Sequence, residues 1–149
     1  MKILVYGAGV LGSLYAARLA DSENDVTIFA RGQRLIDIRS NGIVLEDVAT
    51  RRQTTIHVSV VEQLTPQDAY ELIIVLMRKK QASTILPILA ANEATNYILF
   101  MYNNAAGFNE IVRSLGRGRA SIGFPGAGGT LDGSIVCCGL ILQITNHTW

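Results

Sequence analysis

Apolar and polar positions alternate in blocks along this chain. A short unbroken apolar run is followed by a glycine or polar turn, and then by apolar residues at helical spacing. Residues 3–6 (Ile-Leu-Val-Tyr) predict a strand, and residues 7–12 turn the chain into a helix that continues to about Ala20. Residues 21–25 read as a polar turn, 26–30 (Val-Thr-Ile-Phe-Ala) as a second strand, and 33–40 as a short helix closed by the Asn41-Gly42 turn pair. Strand pieces at 43–45 and 55–60 flank a polar excursion. Residues 72–77 (Leu-Ile-Ile-Val-Leu-Met) are apolar without a break, as a parallel strand covered on both faces requires. A helix over 81–91 despite Pro87, a buried strand over 97–102, a helix over 108–115 and a strand over 120–124 follow. Residues 125–129 read as a loop, and 135–144 as a β-rich stretch that Gly139 bends or folds into a hairpin.

Strands that are apolar throughout, alternating with helices, predict an α/β fold: a Rossmann-type, doubly wound, mostly parallel sheet with helices on both faces. With 149 residues and no repeat, linker or low-complexity tract, residues 1–149 are expected to form one domain.

Composition removes several function classes. A hydrophobic fraction of 49% with 17% charged residues excludes a disordered acidic or basic chain. The net charge of +1 gives no electrostatic case for nucleic acid, and the arginines at 51–52 and at 117 and 119 lack aromatic neighbours for base stacking. An uninterrupted apolar run of about eighteen residues is absent, so no membrane span is expected. Gly7, Gly9 and Gly12 break the apolar start and Arg18 ends it without a cleavage site, which argues against a signal peptide and for a cytoplasmic protein. The sequon at Asn146-His147-Thr148 then has no secretory route to use. Cys137 and Cys138 are adjacent, so on a strand they point to opposite faces. They read as two small apolar residues in a reducing cytosol, and no metal site is expected. A G-x-S-x-G elbow and a Tyr-x-x-x-Lys pair are both missing, and His57 and His147 have no Ser or Cys partner in context. Ser13, Tyr15 and Asp132 read as helix, helix and turn residues.

What remains is nucleotide chemistry. Gly7, Ala8, Gly9, Val10, Leu11 and Gly12 fit G-x-G-x-x-G between the first strand and the first helix of a βαβ unit. Gly7 permits the tight turn, Gly9 lets a pyrophosphate lie against the backbone, and Gly12 lets the helix pack near the strand. The free N–H groups of the first helical turn then face the phosphates along the positive end of the helix dipole. NAD-binding domains commonly place Asp or Glu at the end of the second strand to hold the ribose 2′-hydroxyl. Here the chain reads Ile28-Phe29-Ala30-Arg31, with Arg34 one turn on. A guanidinium takes a 2′-phosphate in a charge-assisted contact that an acid would repel, so Arg31 predicts NADP (NADPH) rather than NAD. Ligands of open α/β sheets lie at the carboxyl ends of the strands, which singles out Arg78-Lys79-Lys80-Gln81 after Met77 and Asn103-Asn104-Ala105-Ala106-Gly107 after Tyr102. A cation and a carboxamide there could hold a carboxylate or a nicotinamide amide. Each reads equally as a helix start or a polar cap.

Taken in order, Gly7 to Gly12, Arg31, the cation after Met77, the Asn pair after Tyr102 and the stretch Gly123-Phe124-Pro125-Gly126-Ala127-Gly128-Gly129 resemble the ketopantoate reductases (2-dehydropantoate 2-reductases) over essentially the whole chain. The resemblance implies NADPH-dependent reduction of a 2-oxo acid, 2-dehydropantoate, on the route to pantothenate. It places the pyrophosphate on Gly7 to Gly12 and the 2′-phosphate on Arg31. The family's lysine near the nicotinamide is matched by Arg78, with Lys79 one residue off, a departure that leaves the substrate open. Asn104 inherits the contact to nicotinamide and substrate, and Gly129 the close approach to the cofactor. Asn104 and Arg78 are therefore the expected catalytic residues. Family members are about twice as long, and their general-acid lysine lies in a carboxyl-terminal helical domain after the point where this sequence stops. This chain alone is thus expected to bind cofactor with negligible turnover, and an apolar face left bare could promote homo-oligomers. Two other readings stay open: a Rossmann oxidoreductase of different substrate, and a stand-alone nucleotide-binding module.

Overall fold

The computed structural model of the chain describes residues 1–101 and 108–140. Its elements are β1 (Lys2–Tyr6), α1 (Val10–Asp21), β2 (Asp25–Phe29), α2 (Gly32–Asn41), β3 (Ile43–Asp47), β4 (Gln53–Ile56), β5 (Ser59–Val61), β6 (Leu72–Val75), α3 (Lys79–Ala91), β7 (Ile98–Met101), α4 (Asn109–Leu115), β8 (Ala120–Gly123), β9 (Ala127–Asp132) and β10 (Ile135–Leu140). Six strands form one sheet in the order β5-β2-β1-β6-β7-β8, every neighbouring pair parallel. The α/β reading holds.

Side-chain alternation divides the core between the two faces of that sheet. Ile3 and Val5 of β1 join Leu14, Ala16 and Ala17 of α1 and Leu35 and Ile38 of α2. Leu4 and Tyr6, one residue out of phase, join Ala82, Ile85, Leu86 and Leu89 of α3 and Ile111 and Leu115 of α4. The chain winds outward from β1 through β2 to β5, then returns to β6 on the other side of β1. This reversal leaves a crevice above the carboxyl ends of β1 and β6, where open α/β sheets bind ligands.

Four strands form a second sheet, ordered β4-β3-β10-β9, which packs Ile43, Leu45, Val136 and Cys138 into the α1 side of the core. It corrects three sequence expectations. The predicted loop 125–129 ends early, because β9 begins at Ala127 and pairs antiparallel with β10. The turn of that hairpin is Gly133-Ser134, with Gly133 at φ +59°, whereas Gly139 sits inside the ladder opposite Gly128. The single stretch 55–60 is divided: Gln53–Ile56 belongs to the second sheet and Ser59–Val61 to the edge of the first. The rest of the β-rich reading, 141–144, and the sequon lie outside the described residues.

Cys137 is partly exposed and Cys138 buried, both free, and burial pushes the Cys138 thiol pKa up. Beneath α3, fully buried Asn92 donates to the carbonyls of Thr65 (2.7 Å) and Asp68 (2.8 Å) and accepts from the Thr95 N–H (3.2 Å). Arg119 donates to the carbonyls of Leu89, Asn92 and Thr95, completing the carboxyl end of α3. Among the described residues no helix is long and apolar enough to cross a membrane.

Candidate functional site

Two clefts meet over the glycine turn. The larger, about 760 Å³, is bounded by Gly9 to Leu11, Leu76 to Lys79, Met101, Pro125 and Gly128-Gly129. The smaller, about 380 Å³, lies over the ends of β1 and β2 and is bounded by Tyr6, Phe29 to Arg31, Arg34, Thr84 and Leu131. Ala8, Gly9, Met77 and Gln81 border both, so the two form one trough crossing the turn.

Sterics explain the glycines at the centre of that trough. Gly7 has φ +122°, and a Cβ there would lie 2.5 Å from the Leu76 carbonyl oxygen. A Cβ on Gly12 would fall 1.8 Å from the Gly7 carbonyl oxygen, so α1 can lie this close to the turn only with glycine. Gly9 differs: a Cβ there would meet nothing within 4 Å. Its missing side chain is therefore unexplained by internal packing, and leaves a cradle open to the trough. Gly9 is also the N-cap of α1, which has no side-chain cap and no acidic residue in its first turn. The early N–H groups of α1 are thus left for an anion.

At the β2 end, exposed Arg31 sits with its guanidinium 5.0 Å from the centre of the Phe29 ring. Phe29 in turn stacks on Tyr6, centroids 4.1 Å apart and planes 11° from parallel. Burial raises the Tyr6 phenol pKa against the opposing pull of Arg31, and its hydroxyl has no hydrogen-bond partner among the described residues. Arg34 turns inward to protein oxygens and is partly desolvated, which lowers its pKa. At the β6 end Arg78 and Lys79 both line the larger cleft, and the Arg78 N–H donates to Gln81 Oε1 at 3.3 Å. Gly129 also lines it; a Cβ there would lie 2.3 Å from the Cys137 carbonyl oxygen and 3.1 Å from Val10 Cγ1, so glycine lets β9 approach both β10 and α1.

The trough thus brings together the glycine turn, Arg31, Arg78 and Gly129. Asn104, with its neighbours Asn103 and Ala105, lies outside the described residues. Sequence reasoning singled out Gln81 with the cations after Met77 but passed over Met77, Met101 and Leu131 as site residues. The first two sit at or just beyond the carboxyl ends of β6 and β7, where the strand-end rule could have found them. Leu131 was hidden with the unrecognised strand β9.

Comparison with known proteins identifies a family and supports the fold. The family model described as "Ketopantoate reductase PanE/ApbA" matches residues 3–136. The 2-dehydropantoate 2-reductase of Listeria innocua is 33% identical over 143 residues, covering 91% of this chain and 46% of that protein. Among solved structures, 2-dehydropantoate 2-reductase from Methylococcus capsulatus superposes with TM-score 0.74 at 19% identity, over 93% of this chain and 44% of that one. D-mandelate dehydrogenase, in a ternary structure with NADH and anilino(oxo)acetate, superposes with TM-score 0.79 at 20% identity, over 94% and 45%. The chain therefore spans less than half the length of each of these three relatives.

Proposed function

This chain belongs to the ketopantoate reductase PanE/ApbA family, and from that premise we propose that it is the NADPH-binding part of an oxidoreductase that reduces a 2-oxo acid, 2-dehydropantoate. One observation carries the proposal: a continuous trough crosses a glycine cradle, with a lone exposed arginine at the adenosine end and a pair of cations at the other. A dinucleotide fits this chemistry. The pyrophosphate rests on the N–H groups around Gly9, where the open Cβ position leaves room. Arg31, steadied over Phe29, takes the 2′-phosphate. Arg78 and Lys79 frame the nicotinamide end and attract the substrate carboxylate, while Met77, Met101 and Gly128-Gly129 wall it from water. The cofactor, when bound, supplies the hydride. Asn104, beyond the described residues, is proposed to orient nicotinamide and substrate.

The ligands in the ternary structure of D-mandelate dehydrogenase, NADH and anilino(oxo)acetate, favour a second reading: the same scaffold with NADH and another 2-oxo acid. Fluorescence titration with NADPH and NADH separates them. Under the first reading NADPH binds more tightly, and Arg31→Ala weakens NADPH alone by about 1–3 kcal/mol, the scale of a hydrogen bond to a charged group. Equal affinities, or a preference for NADH, would refute the role given to Arg31. Substrate profiling of the intact protein, 2-dehydropantoate against other 2-oxo acids, decides the substrate.

A further inference from the structure

We propose that Arg34 is a positioning residue that aims the Gly9 N–H at the dinucleotide's pyrophosphate, an inference that rests on the dinucleotide reading. Arg34 and Arg31 both border the adenosine end of the trough, yet they are employed differently. Arg31 is exposed, with its guanidinium over the Phe29 ring. Arg34 instead spends donors from all three of its nitrogens on three separate segments. Its Nε donates to the Ala8 carbonyl of the glycine turn at 3.0 Å, its Nη2 to Ser13 Oγ of α1 at 2.7 Å, and its Nη1 to the Ser134 carbonyl of the β9–β10 turn at 3.2 Å. Ser13 is fully buried, and its hydroxyl passes its own proton back to the same Ala8 carbonyl at 3.3 Å.

The Ala8 carbonyl and the Gly9 N–H belong to one planar trans peptide, so they point in opposite directions. Two donors that hold the carbonyl toward the protein therefore hold the Gly9 N–H away from it. A Cβ on Gly9 would find open space, so the cradle lies beside that donor. Without Arg34 the carbonyl keeps one long bond from Ser13, and the Ala8-Gly9 peptide is freer to rotate. The bond to Ser134 adds a second effect: it ties the glycine turn to the hairpin that carries Gly128 and Gly129, which border the nicotinamide end. Only a planar guanidinium presents three donors to three fixed acceptors in this fork. A lysine ammonium on a flexible stem does not replace it.

Arg34→Met and Arg34→Lys, titrated with NADPH and NADH while still folded, test this. Both variants are expected to weaken the two dinucleotides by the same factor, tenfold or more, leaving the NADPH:NADH ratio at the wild-type value. In amide NMR spectra the shift that NADPH induces at Gly9 in the wild type is expected to vanish in Arg34→Met, while shifts at the α2 end of the trough persist. Should Arg34→Met fail to fold, Ser13→Ala, which removes one acceptor and the second donor, is expected to weaken both dinucleotides equally by a smaller factor. Wild-type affinity in Arg34→Met, a changed ratio in either Arg34 variant, or an unaltered Gly9 shift overturns the role of Arg34 and leaves the dinucleotide reading standing. A wild-type protein that binds neither dinucleotide overturns both.

Discussion

Replacing Gly12 by alanine is expected to lower stability by about 3 kcal/mol and to abolish dinucleotide binding, whereas the same change at Gly9 should cost binding alone. In α1 an alanine would ordinarily gain about 1 kcal/mol of helix propensity over glycine. Here its Cβ would lie 1.8 Å from the Gly7 carbonyl oxygen and 2.8 Å from the Gly7 carbonyl carbon, both backbone atoms that no rotamer change can move aside. Either α1 slides off β1, or the turn opens, and overpacking of this kind costs about 1–3 kcal/mol and sometimes more. For a chain of this size, roughly 2–4 °C of melting temperature accompanies each kcal/mol. At Gly9 no atom lies within 4 Å of the new Cβ, and the backbone, at φ −73° and ψ −166°, is extended and open to any residue. Gly9→Ala should therefore melt within about 1 kcal/mol of wild type, the scale of a changed N-cap. Its methyl group would occupy the cradle, and NADPH affinity should fall by an order of magnitude or more. Calorimetric melting with parallel titration reads both quantities. A Gly12→Ala protein that melts like wild type sinks the packing account, and a Gly9→Ala protein that binds like wild type sinks the phosphate cradle.

That contrast also marks how far local pattern reaches. The glycine spacing, the strand before it and the helix after it are contiguous in sequence, so the turn and its steric demands were readable from residues 3–20. Arg31 was readable for the same reason, lying directly after a strand. The unbroken apolar run at 72–77 announced a central strand, and the structure places β6 beside β1. What escaped was whatever one segment imposes on another. Ala127–Asp132 (Ala-Gly-Gly-Thr-Leu-Asp) has little strand propensity and extends because β10 pairs with it along its length. The Asp132-Gly133 pair was the available sign of that hairpin, but Asp132, read as a turn residue, is the last residue of β9 and pairs with Ile135. Likewise the alternation at 55–60 marked extended chain correctly, but nothing local says that His57 and Val58 carry the chain from one sheet to the other. Arg34 presented a similar problem: its three acceptors lie 21, 26 and 100 residues away, so its inward role needed the assembled fold.

Asn92→Ala should destabilise the protein by about 3 kcal/mol while leaving cofactor preference untouched. Asn92 is fully buried, and its carboxamide satisfies three backbone groups: the carbonyls of Thr65 and Asp68 and the N–H of Thr95. Truncation strands all three, and each buried polar group left unpaired costs about 1–3 kcal/mol, softened where water can enter. Those contacts fix the segment that leads into β6 and the one that leads into β7, the two strands whose carboxyl ends carry Met77 and Met101. Arg31, the residue proposed to discriminate between the cofactors, sits on a different strand end, so in the folded fraction the NADPH:NADH ratio should match wild type. Arg119→Met offers an internal check. Its guanidinium donates to the Asn92 and Thr95 carbonyls, and Thr95 bonds through its N–H to the Asn92 side chain. Residues that share partners do not lose stability independently. The double variant should therefore lose less than the sum of the singles by at least about 0.5 kcal/mol, because the first truncation already loosens the turn that the second would free. Strict additivity in urea unfolding would mean that the two side chains brace α3 separately. Asn92 would then be an isolated cap, and the joint support beneath β6 and β7 would be ruled out.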